Sequence, residues 1–295
     1  MLSLVERGGT PAREVGTQTH PLGGAAYTVG LTGAPGSGKS TLTSRLVGAL
    51  RARGDEVAVL AVDPTSPFTG GAILGDRVRM QDHALDPGVF IRSMATRGHL
   101  GGLSLATPQA IRVLDAVGFE WVLVETVGVG QVEVEIAAAA DTTLVVLNPG
   151  WGDSVQAAKA GLLEIADVFV VNKADRPGVD EVRRDLEHML DLASVSDTGW
   201  RPPIISTVAS TGEGTAGLRE AIAAHRAWLS EEGRLESKRA ARLCDELVSI
   251  VSEQVVERVR GLRSGEAFAR LQEAVATRRV DPWTAADELL AQLPP

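Results

Sequence analysis

Seven short apolar runs that alternate with helix-like stretches constrain the fold of this chain more than any other feature of its sequence. Several runs are continuous in Val, Ile and Leu instead of alternating with polar residues, which is typical of strands covered on both faces. Such strands, with helices between them, predict an α/β fold with a doubly wound, mostly parallel sheet. The predicted strands are Tyr27–Thr32, Val57–Val62, Val89–Ile91, Trp121–Val124, Thr143–Leu147, Val168–Val171 and Pro203–Ser206.

Helical patterns fill the intervals between these strands. They place helices on both faces of the sheet, as a buried parallel sheet requires. The predicted helices are Lys39–Ala52, Ala72–Leu85, Thr107–Val117, Val132–Ala140, Ser154–Ala166, Val179–Leu192 and Thr215–Ser230.

The 295 residues divide into three predicted parts. Residues 1–25 form an N-terminal leader, in which the polar stretch from Arg7 to Gly24 is expected to be loosely ordered. Residues 26–230 form the α/β domain. Residues 231–295 form a helical arm with apolar residues at three- and four-residue steps. This stripe must pack on the α/β domain or on another chain; we favour another chain and a homodimer, through Leu243, Leu247, Ile250, Val251 and Val255.

Composition excludes several classes of protein. The net charge is −9 and the basic residues are scattered, so no surface for nucleic acid or anionic lipid is expected. The single Cys244 excludes an internal disulfide and favours a reducing compartment, and we expect a cytoplasmic protein. No apolar stretch suggests a signal peptide or a transmembrane helix.

A Gly-rich motif follows the first predicted strand and opens the first predicted helix. It matches the Walker A pattern, in which backbone N–H groups and a helix N-terminus surround phosphate groups. Lys39 is expected to bridge the β- and γ-phosphates, and the Ser40 hydroxyl to bind Mg²⁺. An ordinary Gly-rich turn is the alternative, but one of only four lysines stands at this position. The predicted nucleotide-binding residues here are Gly33, Ala34, Pro35, Gly36, Ser37, Gly38, Lys39, Ser40 and Thr41.

A second motif, Asn172-Lys173-Ala174-Asp175, follows the sixth predicted strand. GTPases recognise the guanine base from this position. Asp175 is expected to accept hydrogen bonds from the N1 and N2 donors of guanine, a pair that adenine does not present. A polar turn is the alternative. The motif therefore predicts that the bound nucleotides are GTP and GDP.

Glu125-Thr126-Val127-Gly128 ends the fourth predicted strand and matches the Asp-x-x-Gly element of GTPases, with Glu for Asp. We expect the carboxylate to act near Mg²⁺ or to position water, and the Gly128 N–H to meet the γ-phosphate. A plain loop glycine is the alternative. Fast GTPases often place a water-orienting Gln after this Gly, whereas this chain has Val129. Slow intrinsic hydrolysis is therefore expected.

Two further carboxylates are candidates for the metal site. Asp63 ends the second predicted strand, where its side chain would point into the phosphate crevice. A plain strand-ending turn at Pro64 is the alternative. Asp76 lies in a Gly-rich stretch suited to a switch around Mg²⁺, and a helix N-cap is an equal alternative. The five histidines show no metal-ligand spacing, so we interpret them as structural or exposed.

These motifs together resemble the MeaB/ArgK/MMAA family of GTPases over about Val29 to Ser230. The most specific segments are Asp63-Pro64-Thr65-Ser66, Gly70–Asp76 and Glu125–Gln131, which are not general P-loop features. The resemblance implies a GTP-dependent chaperone of an adenosylcobalamin-dependent acyl-CoA mutase, especially methylmalonyl-CoA mutase. Such proteins gate cofactor loading and protect or reactivate the mutase.

The resemblance also implies roles for individual residues. Lys39, Asp63, Asp76 and Glu125 would hold phosphate and Mg²⁺, and Pro149–Lys159 would be a third switch that signals to the mutase. A C-terminal helical arm would mediate dimerisation. The guanine-cradling Ser-Ala element of the family appears here as Val208-Ala209 and would act partly through the Ala209 N–H.

Two other functions are alternatives. A metallochaperone GTPase that delivers nickel would need a Cys/His cluster, which this sequence lacks. A kinase acting on a periplasmic transport protein is an older label for the family, and no phospho-acceptor site or membrane signal supports it.

Overall fold

The computed structural model describes residues 1–64, 81–96, 106–126, 132–150, 164–192, 199–262 and 265–291. Seven strands within them form one sheet in which every neighbouring pair is parallel. This confirms the predicted α/β fold. The strands are β1 Tyr27–Thr32, β2 Val57–Pro64, β3 Val89–Thr96, β4 Trp121–Thr126, β5 Thr142–Leu147, β6 Val168–Asn172 and β7 Ile204–Thr207.

The strand order β3-β2-β4-β1-β5-β6-β7 places β1 at the centre of the sheet. Because all strands run in one direction, their carboxyl ends share one edge. The carboxyl ends of the neighbouring strands β4, β1, β5 and β6 therefore lie side by side there, which is where ligands bind in open α/β sheets.

Ten α-helices have defined bounds within the described residues. They are α1 Leu2–Arg7, α2 Gly9–Thr19, α3 Lys39–Arg51, α4 Ala106–Val117, α5 Val132–Ala139, α6 Val179–Leu192, α7 Thr215–Ser230, α8 Arg234–Leu262, α9 Glu266–Ala276 and α10 Pro282–Leu290.

Two predicted helices are only partly described. Of the predicted helix Ala72–Leu85, residues 72–80 lie outside the described part, and Gln81–His83 is a 3-10 turn instead of α-helix. Of the predicted helix Ser154–Ala166, residues 154–163 lie outside, whereas Glu164 and Ile165 are helical.

Both faces of the sheet are buried, and alternate residues of each strand belong to different apolar clusters. In β2, Val57 and Val59 join the cluster that contains Leu46 of α3. Ala58 and Leu60, which alternate with them, lie in the cluster that contains Val113 of α4. Successive side chains of a strand point to opposite faces, so helices cover the sheet on both sides and hold the strand ends in fixed positions.

The N-terminal residues correct one expectation. The stretch from Arg7 to Gly24 was expected to be loosely ordered, but most of it forms α2 and a following 3-10 turn. Ala12, Val15 and Thr19 are buried, and Val15 belongs to the same apolar cluster as α4. Their three- and four-residue spacing gives α2 a narrow apolar face, which the intervening polar residues obscure in the sequence.

The chain divides into two compact units, Met1–Arg239 and Ala240–Pro295. The second unit contains most of α8 together with α9 and α10. On α8, Leu243, Leu247 and Val251 are 45%, 61% and 53% exposed. The domain boundaries predicted after residues 25 and 230 stay predictions. Among the helices in the described residues, none combines the length and apolar character that crossing a bilayer requires.

Candidate nucleotide-binding site

Three glycines shape the loop between β1 and α3. Gly33, Gly36 and Gly38 have φ angles of 128°, 74° and 95°, which residues other than glycine rarely adopt. A Cβ on Gly33 would lie 2.1 Å from the Val146 carbonyl oxygen, and one on Gly38 would lie 2.3 Å from Asn172 Nδ2. Gly33 and Gly38 therefore require glycine for both backbone conformation and space, and Gly36 for conformation alone. The loop leads into the N-terminus of α3, whose first N–H groups have no partner within the helix.

Lys39 begins α3 and its side chain folds over this loop. Lys39 is 5% exposed, and its Nζ donates to the carbonyl oxygens of Gly33 at 2.6 Å and Ala34 at 2.9 Å. The Ser37 hydroxyl is buried and has no hydrogen-bond partner within the described residues. Pro35 and Thr41 are exposed at the outer side of the loop. The loop thus places a cation and a spare hydroxyl among turned backbone amides, a setting suited to phosphate.

Glu125 lies near the end of β4, next to β1 in the sheet, and is 4% exposed. Its Oε1 accepts a hydrogen bond from the Ser40 hydroxyl, and its Oε2 lies 3.0 Å from Thr43 Oγ1. Thr43 was not predicted as a site residue. Its position four residues after Lys39 puts it one helical turn further along α3, on the face toward β4. The carboxylate is therefore held against the loop by two hydroxyls of one helix.

The oxygen groups at this point fit Mg²⁺, which prefers hydroxyl, carboxylate and water oxygens. Ser40 and Glu125 are the predicted ligands that the structure brings together. The Asp63 side chain, Asp76 and Gly128 lie outside the described part of the chain. Within the described residues, no three His, Cys, Asp or Glu side chains are grouped where they could hold a metal ion.

Asn172 joins the second motif to the first. It is 2% exposed at the end of β6, and its Nδ2 donates to the Ser37 carbonyl oxygen at 2.8 Å. Its Oδ1 accepts from Thr207 Oγ1 and from the Ala209 N–H, both at 3.1 Å. Three segments that are far apart in the sequence therefore meet at one buried amide.

Lys173 and Asp175 follow in the adjoining turn. Lys173 has a φ of 60°, an uncommon value outside glycine, and its Nζ donates to the Gly36 carbonyl oxygen at 2.6 Å. Asp175 is exposed beside it. Asn172 and Lys173 thus both contact the Gly-rich loop, while the carboxylate of Asp175 remains accessible to a ligand.

The loop after β7 completes this end of the site. Val208 and Ala209 are buried, and the Val208 N–H donates to the Glu213 carbonyl oxygen at 3.0 Å. Arg45 of α3, which was not predicted as a site residue, donates from Nε to the Ala209 carbonyl oxygen at 2.9 Å. Sequence patterns gave no sign of this contact, because an exposed helical arginine has no distinctive spacing.

Other predicted features fall outside the described part of the chain. These are Val129, which carries the expectation of slow hydrolysis, and residues 151–159 of the predicted third switch. The switch is described only at its start, where Pro149 is buried and Gly150 has a φ of 92°.

A chain of hydrogen bonds crosses the opposite edge of the sheet, at the amino ends of the strands. Tyr27 Oη lies 2.6 Å from Thr142 Oγ1, which lies 2.8 Å from His225 Nδ1, and His225 Nε2 lies 3.3 Å from Asp167 Oδ1. Burial raises the pKa of Tyr27 and lowers the pKa of His225. His225 is 1% exposed, so it belongs to the core of the domain and not to the nucleotide site.

Asp141 anchors the start of α8 at the same edge. It is fully buried, and its carboxylate accepts hydrogen bonds from the Thr28 N–H and from two nitrogens of Arg239. The Asp141 carbonyl oxygen accepts a further bond from Lys238 Nζ at 2.8 Å. Charged side chains in the first turns of α8 thus bind this segment to the amino-terminal edge of the sheet.

Comparison with known proteins identifies the family. A sequence model described as methylmalonyl-CoA mutase-associated GTPase MeaB matches residues 1–264. A Pyrococcus abyssi protein named only as a GTPase is 51% identical over 296 residues, spanning 99% of this chain and 91% of that protein. The mitochondrial methylmalonic aciduria type A homolog of Mus musculus is 33% identical, spanning 94% of this chain and 67% of that protein.

Solved structures agree with the fold. The crystal structure of a LAO/AO transport system kinase superimposes with a TM-score of 0.73 at 27% identity, covering 98% of this chain and 90% of the other. Nickel-bound HypB from Helicobacter pylori gives a TM-score of 0.52 at 17% identity, covering 78% of this chain and 94% of the other. The second likeness concerns the fold alone. Together with the family match, these findings show that the chain belongs to the MeaB family of methylmalonyl-CoA mutase-associated GTPases.

Proposed function

We propose that this chain binds GTP and GDP with Mg²⁺ and hydrolyses GTP slowly, and that a mutase partner accelerates the hydrolysis. The observation that best supports nucleotide binding is the buried Asn172, which joins the Gly-rich loop, its own motif and the loop after β7. A phosphate-binding element and a base-binding element need fixed spacing if both are to hold one nucleotide. These hydrogen bonds supply that spacing.

The phosphate end would use the residues around the start of α3. Lys39 would donate to the β- and γ-phosphates, since its Nζ already lies at the Gly-rich loop whose N–H groups would surround them. Ser40, Asp63, Asp76 and Glu125 would hold Mg²⁺, which neutralises charge on the phosphate oxygens when it is bound. The N–H of Gly128 would meet the γ-phosphate.

The base end would use Asp175 to accept from N1 and N2 of guanine. Titration calorimetry tests this assignment. GDP is expected to bind much more tightly than ADP, because adenine leaves the carboxylate without its two donors. Asp175→Asn should shift the preference toward xanthine nucleotides. Equal affinity for ADP and GDP would exclude a guanine site.

Lys39→Ala tests the phosphate end. Loss of the cation should abolish measurable hydrolysis and weaken GTP more than GDP, because GTP carries the additional phosphate that Lys39 is proposed to contact. Lys238→Ala is a matched control, since this lysine contacts the opposite edge of the sheet. Unaltered turnover in Lys39→Ala would remove it from the site.

We also propose that the partner is an adenosylcobalamin-dependent acyl-CoA mutase, with methylmalonyl-CoA mutase the first candidate. The family description and the name of the mouse relative support this choice. The chain would assist cofactor loading and protect the mutase, in the cytoplasm. Co-purification from the native host, with and without a non-hydrolysable GTP analogue, tests it. Retention of no acyl-CoA mutase under either condition would contradict the proposal.

Coupling to the partner would use the Pro149–Lys159 stretch as a third switch. Val129 replaces a water-orienting Gln, so the partner would complete the site by ordering this stretch. An ordering effect of about 1.4–3 kcal/mol corresponds to roughly ten- to over a hundredfold in rate. The mutase should therefore accelerate hydrolysis at least tenfold. Asp153→Ala should blunt the acceleration and leave basal turnover nearly unchanged; an equal loss of both rates would place Asp153 in the basal active site.

The helical arm over residues 231–295 would form a homodimer through the α8 stripe. Leu247 and Val251 are more than half exposed on α8, an arrangement that a second chain would cover. Leu247→Glu should convert a dimer to a monomer in light scattering and leave GDP affinity unchanged. A wild-type protein that stays monomeric at high concentration would contradict the dimer.

A further inference from the structure

Arg45 connects α3 to the loop after β7. It lies in the second turn of α3, the helix that begins at the Gly-rich loop. Its Nε donates to the Ala209 carbonyl oxygen at 2.9 Å, and its Nη2 donates to the carbonyl oxygen of Ser210. Two parallel donors of one planar guanidinium fix two successive peptide groups more firmly than one donor would.

Fixing the Ala209 carbonyl also fixes the next N–H group. In a trans peptide the carbonyl and the following N–H point in opposite directions, and the described residues contain no cis peptide. With its carbonyl turned toward Arg45, the peptide that joins Ala209 to Ser210 must direct the Ser210 N–H away from α3. Arg45 therefore helps to fix where this donor points, together with the bond from the Ala209 N–H to Asn172 Oδ1.

The Ser210 N–H is a spare donor in its loop. The Ala209 N–H donates to Asn172 Oδ1, and the Thr211 N–H donates to the Val208 carbonyl oxygen. Within the described residues, no hydrogen bond is recorded for the Ser210 N–H, and Ser210 is exposed. Because Ser210 is exposed and the preceding N–H contacts Asn172, this donor is accessible to a ligand bound beside Asn172.

Guanine and adenine differ at the atom that such a donor would meet. Guanine presents an O6 acceptor, whereas adenine presents an amino donor at the same ring position. A fixed N–H group therefore favours guanine, because with adenine two donors would face each other without an acceptor.

We propose that Arg45 holds the Ser210 N–H in position to donate to guanine O6, which makes Arg45 a positioning residue for base selection. The inference rests on the proposed function, because it concerns the guanine end of the same site. Arg45 acts through the backbone and does not itself contact the base. Asp175 would read N1 and N2, so O6 recognition is a separate contribution.

The test compares GDP with 6-thio-GDP, in which sulfur, a weak acceptor, replaces O6 while N1 and N2 are kept. Affinities of the full-length protein are measured by titration calorimetry. Wild type should prefer GDP by about tenfold, which is the effect of one well-formed hydrogen bond. Arg45→Met should lose most of that preference, by weakening GDP about tenfold and 6-thio-GDP about twofold or less.

Arg219→Met is the matched control, because this partly buried arginine on α7 has no recorded hydrogen bond or ion pair in the described residues. It should keep the wild-type ratio. A merely structural role for Arg45 would weaken both nucleotides equally. Arg45→Lys keeps one donor group and should give an intermediate ratio of GDP affinity to 6-thio-GDP affinity. This variant replaces Arg45→Met in the test if circular dichroism shows that Arg45→Met is unfolded.

The outcomes separate the two claims. A wild-type ratio of GDP to 6-thio-GDP affinity in both Arg45 variants would overturn the inference, as would a wild type that binds the two nucleotides equally while rejecting ADP. A wild type that binds ADP as tightly as GDP would instead refute the proposed guanine site itself.

Discussion

Replacement of Gly38 by alanine isolates the contact between the Gly-rich loop and Asn172. The new Cβ would lie 2.3 Å from Asn172 Nδ2, closer than non-bonded atoms approach, so the Asn172 side chain must move. Movement breaks its hydrogen bonds to the Ser37 carbonyl oxygen, Thr207 Oγ1 and the Ala209 N–H. Gly38→Ala should therefore disconnect the phosphate-binding and base-binding elements.

The magnitude follows from two contributions. Alanine at a φ of 95° is strained by about 1–2 kcal/mol. Three hydrogen bonds at about 0.5–1.5 kcal/mol each add roughly 2–4 kcal/mol, because they cannot all re-form in a buried site. Gly36→Ala provides the matched control: Gly36 has a φ of 74°, and its Cβ would meet no atom within 4 Å. It should show the strain alone.

The assay is urea unfolding followed by tryptophan fluorescence, together with GDP titration. Gly38→Ala should be about 2–4 kcal/mol less stable than Gly36→Ala and bind GDP more weakly than that control. In an Asn172→Ala background the obstructing side chain is gone, so Gly38→Ala should then destabilise no more than Gly36→Ala does. Equal effects of the two glycine substitutions in the wild-type background would refute this reasoning.

Three further predictions concern other parts of the α/β unit. Burial lowers the pKa of His225 below 6.5, so the folded state binds fewer protons than the unfolded state, and stability present above pH 6.5 should fall as the pH drops. Thermal melts at pH 7.5 and 5.5 test this. The melting temperature should fall less for His225→Gln than for wild type or for His188→Gln, a control at an exposed site. Asp141→Ala leaves Arg239 without its buried carboxylate and should lower the free energy of unfolding by about 2–4 kcal/mol. The control is Asp191→Ala, which removes an exposed ion pair with Arg201 and should lower it by less than about 1 kcal/mol. Glu125→Gln should raise the Mg²⁺ concentration required for hydrolysis, and a Mg²⁺ dependence identical to that of wild type would remove Glu125 from the metal site.

The fold and the local motifs were predictable because their signals are local. A strand buried on both faces needs a continuous apolar run, and the run at β1 matches its bounds in the structure. Gly33 and Gly38 were recognised from spacing alone, since a loop that turns its N–H groups toward phosphate needs φ values that only glycine adopts readily. Helix α2 was not predicted because its apolar face consists of few residues between polar ones. Its ordered conformation depends on burial of that face against α4.

The sequence by itself determined which chemical groups are present: a Gly-rich loop after β1, the Asn172–Asp175 motif after β6 and a carboxylate at the end of β4. The tertiary structure alone decided that Thr43 joins Ser40 at Glu125, that Asn172 holds three segments together, and that Arg45 reaches the loop after β7. Asn172 and Ser37 are far apart in the chain, as are Arg45 and Ala209. Such pairs are brought within hydrogen-bond distance only when parallel strands align their carboxyl ends, and no local pattern of residues records that alignment.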